Sequence, residues 1–235
     1  MSKISLPDLS SKLIGFAEND IRARPFKLLR TRLGRQLPDE GCNLIGITSA
    51  TPHAGKSFIA SNLAAAMSRI ASTEIALVDF DLQRASIAEI FGINSGPGVI
   101  EYLLGETDKL SDIAFQVADT NLTVIPALSR SIGSAELIAG VRFQALISSL
   151  REFGKNPTII CDLPPLFVSD DAMLAAQHLD GVIMVVEQGV TTKKQLEASL
   201  ELLKPVKLIG TVFNHFEGGL GDPYGYSGSY GSYYR

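Results

Sequence analysis

The chain has 235 residues, is 46% hydrophobic and carries a formal net charge of −4 at pH 7. That suffices for one sizeable α/β core, and the acidic balance gives no global reason to expect a nucleic-acid partner. The longest apolar runs are strand-sized and the start, MSKISLPDLS, lacks a signal-peptide core, so work at a membrane would need a separate recruiter.

Residues 1–20 are polar and mixed and read as a loosely held, flexible arm. From 21 to 37, Phe26, Leu29, Leu33 and Leu37 recur at helical spacing, with Arg22, Arg24, Lys27, Arg30, Arg32 and Arg35 between them. This predicts a basic helix with Pro25 in its first turn. A buried strand over 43–50, a helix over 56–70 and a second strand over 74–80 follow. Helices are expected at 86–91 and 98–104. Strands at 121–127, 157–163, 181–188 and 206–214 then alternate with helical patterns at 134–153, 169–178 and 191–204. Continuous β-branched runs separated by helices indicate parallel strands covered on both faces. The fold class is therefore α/β, a doubly wound, mostly parallel sheet with helices on both faces. Cys42 and Cys161 each border an apolar run and read as two buried, reduced thiols of a cytosolic protein.

Chemistry concentrates at strand ends. In ITSATPHAGKS a strand gives way to a helix through Gly-Lys-Ser. Gly55 permits close backbone approach, and amides from His53 to Ser57 can form an anion-binding nest at the helix start. Lys56 can reach β- and γ-phosphates, and the Ser57 hydroxyl can ligate Mg²⁺. The expected nucleotide-binding set is Pro52, His53, Ala54, Gly55, Lys56, Ser57 and Phe58. Ala50 stands where the usual phosphate-loop pattern has its first Gly. The second strand ends in Asp79 and Asp81 and a later one in Asp162. Three acids at strand C-termini beside a phosphate loop suit Mg²⁺ held through oxygen and water. Strand-end Asp that simply caps a turn is the plainer reading of any one of them.

From Glu217 onward the composition turns to Gly, Ser and Tyr, with no aliphatic residue after Leu220. Five of the six tyrosines, Tyr224, Tyr226, Tyr230, Tyr233 and Tyr234, lie here. A segment so poor in apolar residues cannot bury enough surface to fold by itself.

These pieces together resemble the bacterial tyrosine kinases, the BY-kinase family of the CpsD/CapB type. That family sits within the broader group of septum-site and plasmid-partition ATPases. TSATPHAGKS is similar to its Walker A loop, LVDFDLQR to its Walker A′ segment, and IICDLPPLFVSDDA to its Walker B segment. SAELIAG is similar to the segment before the connecting helix. The resemblance implies a P-loop fold, ATP and Mg²⁺ as cofactors, and Lys56 and Ser57 on nucleotide and metal. It further implies Asp81 and Asp162 on Mg²⁺, Asp79 as base toward a tyrosine hydroxyl, Asn214 against adenine, and catalysis resting on Lys56, Asp79 and Asp81. Residues 21–216 would form the kinase domain and 217–235 its autophosphorylation tail, offered to a neighbouring subunit. The implied setting is cytoplasmic, at the inner face of the membrane. A separate membrane polysaccharide copolymerase would be the partner, an opposing tyrosine phosphatase would reset the tail, and exopolysaccharide or capsule synthesis would be regulated. Departures stand beside this: His53-Ala54 replaces the usual Gly-Glu, Gln83 displaces Arg84 by one, and Arg24 replaces the Glu of the family's ring-contact motif. A partition-type ATPase switch and a nucleotide-binding scaffold without kinase activity stay open as alternatives. The switch is disfavoured by the absence of a Lys in the loop before Lys56.

Overall fold

The computed structural model describes residues 1–5, 11–39, 41–70, 73–128, 133–155 and 157–216. Eight strands form one sheet: β1 (Ser2–Ile4), β2 (Leu44–Ser49), β3 (Ile75–Asp79), β4 (Phe115–Val117), β5 (Leu122–Ile125), β6 (Thr158–Asp162), β7 (Gly181–Glu187) and β8 (Leu208–Asn214). Their spatial order is β1-β4-β5-β3-β6-β2-β7-β8. Every pairing is parallel except that of β4 with β5. β2 and β3 are buried at every position, as strands covered on both faces must be.

The helices are α1 (Arg24–Asp39), α2 (Lys56–Met67), α3 (Ser86–Ile90), α4 (Val99–Leu104), α5 (Ser134–Ile138), α6 (Val141–Arg151), α7 (Asp171–Ala176) and α8 (Lys193–Leu202). One face of the sheet packs Phe26, Leu33, Leu63 and Ile87 of α1, α2 and α3. The other packs Tyr102, Ile138, Phe143 and Ala175 of α4 to α7. Phe143 sits 4.9 Å, ring to ring, from Phe80. The doubly wound, mostly parallel architecture expected from the sequence is the one present. α8 starts on a reciprocal cap: Thr192 Oγ1 accepts from the Gln195 amide, and Gln195 Oε1 accepts from the Thr192 amide, a stop-and-start signal read locally.

Three features differ from expectation. Residues 2–4, read only as part of an arm, pair with β4 as an edge strand. β4 itself was not anticipated, because three residues give too little pattern to see. The helix expected over 134–153 is two helices, with Gly140 in extended conformation at the start of the second.

Candidate nucleotide and metal site

The site lies where the carboxyl ends of three neighbouring strands, β3, β6 and β2, meet, the crevice at which such sheets bind ligands. Asp79 of β3 is in direct register with Asp162 of β6. β2 leads into the loop 50–55, and α2 begins at Lys56. His53 and Gly55 both adopt left-handed backbone angles, φ 66° and φ 89°, which suits a phosphate-cradling turn. The segment after β6 braces this loop. Pro164 O accepts from Thr48 Oγ1 at 2.7 Å, and the amides of Leu166 and Phe167 donate to Ser49 O and Ala50 O at 2.9 and 3.2 Å.

Beneath the loop the Lys56 side chain is 5% exposed. Its Nζ donates to Asp81 Oδ2 at 2.6 Å and lies 4.0 Å from Asp162 Oδ1. Burial pulls the Lys56 ammonium toward neutrality, but Asp162 and Asp81 outweigh it and hold its pKa above the ordinary lysine value. Asp162 is fully buried, and neither carboxylate oxygen has a partner at hydrogen-bond distance among the described residues, although the Ser57 hydroxyl is near enough to favour its ionised form. Burial pushes its pKa up to about 6 against the pull of Lys56. Two orphaned carboxylate oxygens beside a lysine and the half-buried Ser57 are what a site for a hydrated divalent cation would leave exposed to its ligand. Among the described residues no three His, Cys, Asp or Glu side chains form a ready-made metal cluster. A Mg²⁺ ion here would therefore need phosphate oxygens and water to complete its shell. The residues present fit an ion delivered with a nucleotide.

Asp79, the base expected from the motifs, is held by the backbone. It is fully buried; Oδ1 accepts from the Asp81 amide and Oδ2 from the Ile87 amide, each at 3.1 Å. Burial first, then Asp162 and Asp81, raise its pKa well above the usual carboxylate value. A carboxyl whose two oxygens each accept a backbone amide ties down the turn carrying Asp81. Asn214, at the end of β8, reaches the phosphate loop: Nδ2 donates to Ala54 O at 2.9 Å. A Cβ on Gly55 would stand 2.2 Å from that Nδ2, so Gly55 is required both for its backbone angle and for this approach.

Of the other predicted loop residues, Pro52 and His53 are exposed and Ala54 is buried. The Phe58 ring packs edge-on against Phe26 at 5.6 Å, anchoring α2 to α1. His53, Gly55, Lys56, Ser57 and Phe58 line a cavity of about 190 Å³, together with Lys12, Arg84, Ser86, Glu89 and Ile90. Tyr224, Tyr226, Tyr230, Tyr233 and Tyr234 lie outside the described residues. Sequence reasoning missed Lys12. It also missed a chain running from the surface inward, in which Gln83 Nε2 donates to Ser134 Oγ at 3.0 Å and the buried Ser134 Oγ donates to the buried Asp171 Oδ2 at 2.6 Å. Cys42 and Cys161 are both buried and unbridged.

A phosphate loop running from a central parallel strand into a helix, with its lysine held against strand-end carboxylates, defines a P-loop nucleotide-binding domain. The chain belongs to the CobQ/CobB/MinD/ParA nucleotide binding domain family, whose profile matches residues 45–224. Among curated proteins it is 27% identical over 201 residues to tyrosine-protein kinase ptk of Acinetobacter johnsonii, spanning 85% of this chain and 27% of that one. It is 28% identical over 181 residues to tyrosine-protein kinase wzc of Salmonella typhimurium, spanning 77% and 25%. The chain thus spans about a quarter of the length of these relatives. Among solved structures it superposes on the chimerical protein CapA2B2 with TM-score 0.79 at 27% identity, covering 92% of this chain and 94% of that one. The kinase domain of Escherichia coli tyrosine kinase ETK gives 0.77 at 24%, covering 90% and 84%. The septum-site determining protein MinD complexed with Mg-ADP, from Pyrococcus horikoshii, shares the fold, with TM-score 0.60 at 19%, covering 72% and 68%. The resemblance to bacterial tyrosine kinases read from the motifs is borne out by these likenesses.

Proposed function

We propose that this chain is an ATP- and Mg²⁺-dependent protein-tyrosine kinase domain whose substrate is its own tyrosine-rich tail. The observation that carries the reading is the arrangement beneath the phosphate loop. Lys56 is pinned 2.6 Å from Asp81, beside an Asp162 with no partner at hydrogen-bond distance on either oxygen among the described residues. The likeness to chains named as tyrosine-protein kinases supports the same reaction.

In this reading the ion pair is a resting state. An incoming triphosphate draws the Lys56 ammonium from Asp81 to its own oxygens. Asp81, Asp162 and Ser57 are then the residues that would hold Mg²⁺, which supplies charge neutralisation on the phosphates when bound. Phosphoryl transfer depends mostly on such positioning and neutralisation. Asp79 keeps the Asp81 turn in place through its two amide bonds. A phenol has an ordinary pKa of about 10, so its proton must pass to an acceptor near the phosphate. Asp79, the strand-end carboxyl left off the Mg²⁺ shell, is the acceptor in this reading.

Residues 21–216 serve as the catalytic domain, and 217–235 deliver tyrosine to a neighbouring subunit. A tyrosine phosphatase would restore the tail. Cytoplasmic action beside a separate membrane polysaccharide copolymerase, in exopolysaccharide or capsule production, completes the proposal. Among the described residues no helix is long and apolar enough to cross a membrane.

The test is incubation of the purified protein with ATP and Mg²⁺, with phosphotyrosine mapped by mass spectrometry beside a Lys56→Met control. Phosphate on Tyr224 to Tyr234 that is absent from the control is the expected result. ATP hydrolysis with an unmodified tail would instead support a partition-type switch, and neither activity in a folded protein a scaffold.

A further inference from the structure

We infer that residues 11–17 form a strap across α2 that delivers Lys12 to the nucleotide cavity as a phosphate-facing cation. The inference rests on the nucleotide-site reading above and adds a residue to it from outside every recognised motif.

The strap is fastened at one point of α2. Asn62, fully buried, accepts the Gly15 amide at Oδ1, 2.8 Å, and donates through Nδ2 to Lys12 O at 3.0 Å. The same Nδ2 also donates to Phe58 O at 2.9 Å, so one amide group ties the strap to the first turns of the phosphate-loop helix. Gly15 is required there: a Cβ would stand 2.2 Å from Asn62 O. Leu13, Ile14 and Phe16 pack against the core on this face, and Glu18 pairs with Arg69 at the far end. An unanchored arm would not place a side chain reproducibly; this one is held by hydrogen bonds and apolar contacts.

The place it reaches is the cavity beside the phosphate loop. The ionisable groups lining that cavity are Lys12, His53, Lys56, Arg84 and Glu89. Within the loop itself Lys56 is the sole lysine, and it already balances Asp81 at 2.6 Å. Even when a triphosphate draws Lys56 from Asp81, one ammonium does not neutralise it, and Lys12 is brought to the rim by the backbone contacts of its strap. Its Nζ lies 3.8 Å from Glu89 Oε1, with both side chains mostly exposed. Such a pair contributes little, so a polyanionic phosphate displaces Glu89 readily. Glu89, on α3, parks the ammonium while the site is empty of nucleotide and gives it up on binding.

The experiment is calorimetric titration of the full chain with ATP and Mg²⁺ at low and high salt. It compares wild type with Lys12→Ala, Lys12→Arg and Lys56→Met. Lys12→Ala should bind ATP roughly tenfold more weakly at low salt, the order expected for a charge-assisted hydrogen bond. Lys12→Arg should recover most of the loss, and the gap should narrow at high salt as the charge interaction is screened. Thermal unfolding without nucleotide should be unchanged in Lys12→Ala. Wild-type affinity in Lys12→Ala, or a loss that is indifferent to salt and is accompanied by destabilisation, would overturn the strap's role while leaving the nucleotide site intact. Wild type that binds no better than Lys56→Met would overturn the nucleotide site itself, and the strap with it.

Discussion

Replacing Lys56 with methionine should destabilise the protein before any nucleotide is added. The ammonium is 5% exposed and stands 2.6 Å from Asp81 and 4.0 Å from Asp162, with the buried Asp79 adding a third carboxyl to its surroundings. Methionine fills much of the same volume, so the change isolates the charge. Removing one partner of a buried ion pair costs about 3–5 kcal/mol, because the other charge is left without compensation. The lower end applies here, since Asp162 and Asp79 can each take up a proton. For a chain of this size about 3 kcal/mol corresponds to a fall in Tm of roughly 6–12 °C.

The pH dependence gives the argument a sign. Asp162 has its folded pKa raised from 3.8 to about 6. A group of that kind favours the folded state fully below its unfolded pKa, and the advantage is lost as pH rises through the folded value. Without Lys56 to oppose burial, the pKa values of Asp162 and Asp79 move higher still. The Tm gap between variant and wild type should therefore be small near pH 5 and largest near pH 8. Scanning calorimetry in the presence of a chelator measures it, and Lys56→Met combined with Asp81→Asn should recover much of the loss. Equal Tm values at pH 8, or a gap that widens toward acid, would refute the reasoning.

Gly55→Ala should weaken nucleotide binding and lower stability by about 2–3 kcal/mol. That sums a left-handed backbone penalty of about 1–2 kcal/mol with loss of the Asn214 to Ala54 bond, about 1 kcal/mol; chemical denaturation reads the stability loss and ATP titration the weaker binding. Asp180→Asn should cost about 1–2 kcal/mol at pH 7, because the carboxylate accepts the Asn43 and Leu44 amides and the Arg151 guanidinium. Burial raises the Asp180 pKa, but those bonds outweigh it and hold it below 3.8, so the difference should persist above about pH 4 and vanish as pH falls below it. Ser134→Ala should cost about 1–3 kcal/mol in urea unfolding. It removes the donor to the buried Asp171 and the acceptor for Gln83.

The positions of the main strands and helices were legible because each is a local pattern. The apolar runs of β2, β3, β6 and β7 and the Gly-Lys-Ser junction carry their meaning within a few residues. The topology rule for parallel sheets then brings strand ends together without further information. Asp81 and Asp162 could thus be placed beside Lys56 from the sequence. β1 and β4 could not, since three-residue strands carry no periodicity and exist only because their neighbours offer an edge.

Within the site, the sequence determined which chemical groups are present, and the tertiary structure decided what each one touches. Asp79 and Asp81 look equivalent as alternate residues of one strand. The strand ends at Asp79, however, and the chain turns, so one carboxyl closes on backbone amides while the other meets Lys56. Asn214 and Ala54 are 160 residues apart, and Asn62 and Lys12 are 50 apart. No local pattern records such pairings. A side chain's residue type sets what it can donate, accept or neutralise, but its partner is chosen only when packing brings distant segments within about 3 Å of each other. Here that choice set Asp162 within 4.0 Å of Lys56, tied Asp79 to two backbone amides, and brought an unremarked lysine to the rim of the phosphate-loop cavity.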